Sequence, residues 1–109
     1  MSGAYFYIKQ GDLLPSLRAT LLGPDDEPAD LTGVEVRLRL ARPDGTFFFD
    51  RVVTVESPPT AGVARYDWQA GDTDVEGAHL GEFRGIFDGK LLTFPNYQHM
   101  IVWISRRLP

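Results

Sequence analysis

The chain of 109 residues contains no cysteine and only two histidines. The absence of cysteine excludes disulfide bonds, thiolate metal sites and a cysteine nucleophile. It fits a reducing compartment but excludes no other location. His79 and His99 are the only side chains that titrate near neutral pH without a perturbed pKa, and neither lies in a metal-ligand motif.

The sequence also lacks a long apolar run and a basic patch. No uninterrupted apolar segment approaches the roughly 18–20 residues that span a bilayer, and the first residues do not form a signal peptide. The net charge is −4, and only Arg106 and Arg107 are adjacent basic residues. This charge argues against a phosphate backbone as the main contact. We therefore expect a soluble, cytoplasmically made protein with no membrane partner and no nucleic acid as its main partner.

Patterns of catalytic residues are scarce. The sequence has no phosphate-binding glycine loop and no nucleophile elbow. The acidic segments 25–27 and 72–74 offer alternating oxygen ligands of the kind that hold calcium, but neither completes a calcium loop. We therefore expect a solvated turn at each segment, in which Asp accepts hydrogen bonds from its own backbone. We expect no enzymatic activity, no cofactor and no metal; a hydrolase or metal-dependent enzyme is the least favoured reading.

Alternation of apolar and polar residues dominates the chain. In residues 34–40 the four apolar side chains share one face of an extended strand, whereas a helix would scatter them around its circumference. The other predicted strands cover residues 4–9, 17–22, 46–55, 63–68, 80–87, 90–94 and 99–104.

Turn signals separate the predicted strands. They include Arg42-Pro43-Asp44-Gly45, residues 57–62, Asp88-Gly89 and Pro95-Asn96. No helix of ten or more residues and no linker is supported. The sequence therefore predicts a single all-β domain over residues 1–109 with short terminal extensions. Its expected fold is an immunoglobulin-like antiparallel β-sandwich of about 7–8 short strands.

The predicted strands place several aromatic residues and arginines at positions that do not face the core. Regular alternation places Phe47 and Phe49 on one face and Phe48 on the other, and only one face of each sheet is core. The surplus rings need cover from a loop, a terminus or another chain. Arg37 and Arg39 share an outer face, which is either an interface or a solvated surface. The candidate partner-binding residues are Tyr5, Phe6, Tyr7, Phe48, Arg37, Arg39, Arg106 and Arg107.

Several segments carry a family resemblance through their order along residues 6–104. They are FYIKQGD (6–12), LRATL (17–21), DLTG (30–33), VRL (36–38), GVARYDW (62–68), GEF (81–83) and TFPN (93–96). The chain resembles the immunoglobulin-like N-terminal domain of tailed-phage baseplate upper proteins and their small stand-alone phage relatives. His79 stands where those relatives tend to have a tyrosine.

The resemblance implies a β-sandwich in a virion that assembles in the host cytoplasm, and it supplies no catalytic residue. The implied partners are other virion proteins in the tail or baseplate, or at the neck or head periphery. Multiple copies in a symmetric assembly are expected.

The alternative is a carbohydrate- or cell-surface-binding module in which Trp68, Trp103 and tyrosines stack on sugar rings. Such a platform requires exposed rings. Trp68 lies in phase with Ala64 and Tyr66, which predicts that it belongs to the core.

Overall fold

The computed structural model describes residues 5–95 and 99–109. Ala4 and Asn96, assigned above to a strand start and a turn, lie outside the described residues. The described residues form nine strands and a short 3-10 helix at Pro59–Ala61. The strands are β1 (Tyr5–Lys9), β2 (Leu17–Thr20), β3 (Val36–Ala41), β4 (Phe47–Val52), β5 (Thr54–Val55), β6 (Val63–Tyr66), β7 (Gly77–Phe87), β8 (Lys90–Phe94) and β9 (Met100–Ser105).

The strands form two sheets. The larger sheet has the order β1-β9-β7-β3-β4, and the smaller has the order β2-β6-β5. β8 and β9 pair with successive halves of β7, and β1 runs parallel to β9. β2, β6 and β5 therefore take the positions of strands B, E and D of an immunoglobulin domain, and β3, β7 and β8/β9 take those of C, F and G. The predicted immunoglobulin-like sandwich is confirmed.

The core lies between the two sheets. The alternation in residues 34–40 is confirmed, since Val36, Leu38 and Leu40 are at most 1% exposed. Trp68 is 5% exposed, and its indole Nε1 donates a hydrogen bond to the Pro15 carbonyl at 3.1 Å. The prediction that Trp68 belongs to the core is therefore confirmed.

A bulge in β4 changes the direction of the three consecutive phenylalanines. Leu40 pairs with Phe49 and Ala41 pairs with Phe47, so Phe48 is an extra residue in the register. Phe47 points outward and Phe49 is buried, which makes the prediction that they share a face wrong. The outward position expected for Phe48 is also wrong, because Phe48 is half-buried and packs against the core.

The predicted strand 46–55 is two strands in different sheets. Val53 stands between β4 and β5 and is 8% exposed. Its backbone N–H donates to the Val36 carbonyl at 2.9 Å, which keeps the end of β4 on the larger sheet while the chain crosses to the smaller one.

Candidate partner-binding surface

An unbroken row of apolar residues crosses the outer face of the larger sheet. In the strand register, Tyr5 is opposite Ile101, and Ile101 is opposite Leu80. Leu80 is opposite Ala41, and Ala41 is opposite Phe47. The row therefore spans all five strands of the sheet order, and we call it the apolar row.

A shorter aromatic row lies beside the apolar row. Tyr7 is opposite Trp103, which is opposite Ala78. The rings of Tyr5 and Tyr7 are stacked, with centroids 6.2 Å apart and planes 8° apart. Tyr7 is 65% exposed and Trp103 is 44% exposed. Contiguous exposed apolar surface of this kind marks interaction sites in soluble proteins.

Charged side chains occupy the two rows next to the apolar row, on the side away from the aromatic row. Glu82 is opposite Arg39, which is opposite Asp50, and Arg84 is opposite Arg37 in the next row. We call these five residues the charged band. The charged band lies between the apolar row and further exposed apolar residues, since Val52 is opposite Arg37 and Ile86 is opposite Leu91 beyond Arg84.

Asp50 organises the charged band. It accepts hydrogen bonds from Arg37 Nε at 2.8 Å, from Arg39 at 3.2 Å and from Arg84. Burial by itself raises the pKa of Asp50, but the three arginines outweigh it and hold that pKa below its usual value. Asp50 therefore stays anionic and fixes the three guanidinium groups on the sheet.

The arginines and Glu82 keep hydrogen-bonding capacity for a partner. The Arg37 and Arg39 side chains are 39% and 47% exposed, and a guanidinium has five N–H donors. Glu82 forms no salt bridge within the described parts of the chain. Arg37 and Arg39 therefore lie on the outer face that the sequence predicted, beside a carboxylate that has no salt bridge to any described residue.

The two arginines of the C-terminal tail fold back onto the domain. Arg106 pairs with Glu76 at 2.8 Å. Arg107 donates to the Gln10 carbonyl at 3.0 Å and pairs with Asp12. These contacts fix the tail next to the C-terminal ends of β1 and β9. The Arg106 and Arg107 side chains both remain more than half exposed.

Phe6 is directed away from this face. It is half-buried and packs on the core, with its ring centroid 5.9 Å from that of Trp68. The structure thus brings together Tyr5, Tyr7, Arg37 and Arg39 of the predicted residues. It places Phe6 and Phe48 against the core and the tail arginines at one edge. Trp103, Leu80 and Ile101 belong to the face but were not predicted as partner-binding residues, although outward alternation in β7 and β9 would have indicated them.

A depression of about 320 Å³ adjoins the face at the edge strand β1. Its lining includes Tyr7, Lys9, Asp12, Leu14 and Pro15. Asp12 is already paired with Arg107, so the lining is mainly apolar with one lysine. Tyr7 contributes both to this depression and to the aromatic row, which makes the two surfaces continuous.

A buried polar network lies away from the face. The Asp72 carboxylate is 2% exposed and accepts hydrogen bonds from the Tyr66 hydroxyl at 2.5 Å, the Gln69 N–H at 2.9 Å and Arg51 at 3.0 Å. Burial raises the pKa of Tyr66, and the hydrogen bond to Asp72 raises it further. The solvated turn expected at 72–74 is wrong for Asp72 and Thr73, which are both buried. The network fixes the loop after β6 and is structural.

The second acidic segment behaves as a turn. Asp25 Oδ1 accepts a hydrogen bond from the Glu27 N–H at 3.2 Å, and all three residues of the segment are exposed. The prediction of a solvated turn is confirmed there. Across residues 5–95 and 99–109, no group of three His, Asp or Glu side chains is placed to hold a metal ion.

His79 is fully buried in β7. Its Nδ1 lies 3.3 Å from the Gly77 carbonyl, and its Nε2 has no hydrogen-bond partner within the described residues. Burial lowers the pKa of this imidazole. The Arg42 guanidinium, 3.8 Å above the Phe48 ring, also disfavours a second positive charge there. His79 is therefore a neutral core residue.

The described part of the chain contains no helix long and apolar enough to cross a membrane. Comparison of the chain with protein-family models, with curated proteins and with solved structures gave no match.

Proposed function

We propose that the chain is a non-enzymatic structural protein of a tailed-phage virion that binds other virion proteins through the outer face of its larger sheet. The observation that carries the binding role is the apolar row, which crosses five strands and is bordered by the charged band. Protein interfaces combine an apolar, aromatic centre with a polar rim, and they are enriched in Tyr, Trp and Arg. This face has both properties.

The virion assignment is supported by the resemblance of residues 6–104 to phage baseplate domains. The resemblance is compatible with a location in the tail or baseplate, or at the neck or head periphery. A flat sheet face suits a structural partner, because small-molecule sites are concave and enclose most of their ligand. The proposed site residues are Tyr5, Tyr7, Trp103, Leu80 and Phe47, with Arg37 and Arg39 in the adjoining charged band.

A carbohydrate-binding role is the second candidate. It is favoured by the stacked Tyr5 and Tyr7 rings beside the exposed Trp103, since flat rings stack on sugars. Trp68 takes no part because it is buried. A glycan on this platform would leave Phe47, at the opposite end of the apolar row, uncovered.

Hydroxyl-radical footprinting of the purified virion and of the isolated protein tests the proposal. Tyr5, Tyr7, Trp103 and Phe47 are expected to lose reactivity in the particle, while Leu22, which is exposed on a loop, serves as an internal reference. Absence of the chain from the particle, or equal reactivity in both states, would contradict the proposal. In parallel, oligosaccharides are titrated against the protein and the Trp103→Phe variant. A fluorescence change that requires Trp103 would favour the glycan role.

A further inference from the structure

We infer that the open edge of β1 binds an extended segment of another polypeptide, which adds to the larger sheet as a further strand. The inference goes beyond the proposed function, because it concerns the backbone at the edge of the sheet and not its outer face. It is carried by the direction of the backbone groups of β1, by the lack of the usual edge protection, and by the depression beside this strand.

The pairing of β1 with β9 leaves every second residue of β1 directed to the open edge. Lys9 is opposite Ser105, and the Gln10 N–H donates to the Ser105 carbonyl at 2.8 Å. Backbone groups of successive strand residues point to opposite sides. The even-numbered residues of β1 therefore face β9, and the N–H and carbonyl groups of Tyr5, Tyr7 and Lys9 point away from it.

Five backbone groups at this edge have no hydrogen-bond partner within the described residues. They are the N–H groups of Tyr5, Tyr7 and Lys9 and the carbonyls of Tyr5 and Tyr7, because the Lys9 carbonyl accepts from the Asp12 N–H at 3.0 Å. An extended polypeptide offers donors and acceptors at the same spacing and can pair with all of them in one register. Strand addition is therefore the mode of recognition that this edge fits.

Other edges of the two sheets carry features that discourage strand addition. β4 contains the bulge at Phe48, and its Asp50 carbonyl accepts from Arg37 at 3.3 Å. β5 has only two residues, and β2 carries Arg18, which pairs with Glu56. Bulges, charges and short length are the devices by which proteins protect edges. β1 has five residues, pairs with β9 without a register shift, and has one charged residue, at its end.

The surroundings of β1 indicate which side chains the added strand carries. Its outward side chains would lie about 5 Å from Tyr5 and Tyr7 and continue the apolar row and the aromatic row. Its inward side chains would enter the depression of about 320 Å³, where Ile8 and Pro15 contribute to the lining and Leu14 is 76% exposed. Apolar side chains gain burial at both kinds of position. β8 also has an open side, but β1 is preferred because it adjoins this depression.

Lys9 adds an electrostatic requirement. It is exposed and forms no salt bridge within the described parts of the chain, while Asp12 beside it is paired with Arg107. The expected segment therefore has apolar residues beside Tyr5 and Tyr7 and an acidic residue beside Lys9. A second β1 strand does not meet this description, because antiparallel pairing centred on Tyr7 places Lys9 opposite Tyr5.

A displayed library of random linear peptides, selected on the isolated protein, supplies the probe. Enriched peptides should carry apolar residues with one acidic residue, and the tightest is synthesised with a fluorescent label for anisotropy titrations. Methylation of its backbone nitrogens, one at a time, should weaken binding by at least about tenfold at every second position and change it little between, because only one side of the added strand pairs with β1. No enrichment, or a methylation profile without this period, overturns the inference.

Tyr7→Pro and Tyr7→Ala form a matched pair on the protein. Both remove the ring, but only proline removes the N–H at the open edge, where no ladder hydrogen bond is lost. Tyr7→Pro should therefore bind the peptide at least about tenfold more weakly than Tyr7→Ala. Leu91→Pro, at an exposed position of β8, should bind like the unaltered protein. Equal binding by the two Tyr7 variants, or loss of binding in Leu91→Pro, overturns the assignment to β1.

The outcomes separate the inference from the proposed function. Thermal unfolding verifies that the variants fold, and the methylation profile tests the inference even if Tyr7→Pro does not. Self-association in sedimentation velocity that Tyr7→Pro abolishes would assign the edge to a second copy and overturn the choice of a foreign segment. Failure of peptide binding leaves the protection of Phe47 expected in the virion unaffected, because Phe47 lies on β4 at the opposite edge of the sheet.

Discussion

Removal of the Asp72 carboxylate by Asp72→Ala should be among the most destabilising single substitutions in this chain. The carboxylate accepts hydrogen bonds from Tyr66, Gln69 and Arg51 at a position that is 2% exposed. Breaking a buried charged pair costs about 3–5 kcal/mol because the remaining partner is left buried without compensation. The Arg51 side chain is 34% exposed and can regain water, so the lower end, about 3 kcal/mol, applies.

This loss is large relative to a domain of 109 residues. The entropy of unfolding is about 2.1 cal/mol/K per residue, so 1 kcal/mol corresponds to about 4.4 °C and the expected fall in Tm is about 13 °C. Chemical denaturation and calorimetry measure both quantities.

Two further variants show whether the reasoning about Asp72 is right. Tyr66→Phe keeps the ring against Phe49 and removes only the hydroxyl, so it should cost about 1 kcal/mol. The double variant should lose less stability than the sum of the two single losses, because both substitutions break the same hydrogen bond. A loss below about 1 kcal/mol for Asp72→Ala, or strict additivity, would refute the buried network as a stabilising element.

Three other predictions concern His79, Asp50 and Gly77. Because the folded-state pKa of His79 is lowered, the unfolded chain binds more protons below about pH 6.5, and the free energy of unfolding should fall as pH drops through that value. Urea titrations at several pH values should show this pH dependence in His99→Gln but not in His79→Phe. Asp50→Asn should lower Tm by about 5 °C, and by more than Arg39→Ala, because it leaves three guanidinium groups without their shared anion. Because the folded-state pKa of Asp50 is lowered, the Tm difference between Asp50→Asn and the unaltered protein should disappear as pH falls below about 3.9. Persistence of that Tm difference at lower pH would contradict the prediction. Gly77→Ala should destabilise the domain more than Gly89→Ala. Both glycines have positive φ, but only at Gly77 would an added Cβ lie 2.7 Å from the Pro43 side chain. Equal losses of stability in thermal melts would exclude the contact with Pro43 as the cause.

Alternation predicted most strands because period-2 patterning reports directly on which face is buried. The segment from Val36 to Leu40 is the clearest example, with its apolar residues in the core and its arginines outside. The same rule failed at Phe48, because a bulge inserts one residue without any change in composition. It also failed at Val53, where an apolar run continued while the chain moved from one sheet to the other.

The candidate binding face could be predicted only in part. Tyr5 and Tyr7 were identified together with Phe6, because three consecutive aromatic residues place rings on both faces of a strand. Their assembly with Leu80 and Phe47 into one row depends on which strands are neighbours and on their register, and neither is encoded in a local pattern. Asp72 was assigned to a solvated turn because nothing in the local pattern shows that this loop folds back onto Tyr66 of β6 and Arg51 of β4.

The exposed aromatic residues contribute little to the stability of the folded chain, which separates them from the rings of the core. Phe6 and Trp68 contact each other inside the sandwich and stabilise the fold, whereas Tyr7 and Trp103 present most or much of their surface to water. The exposed part of a ring in a monomer gains no burial energy and raises the risk of association. Five strands nevertheless direct apolar side chains to one continuous row of this face. The core does not require this arrangement, and the proposed contact with other proteins would account for it.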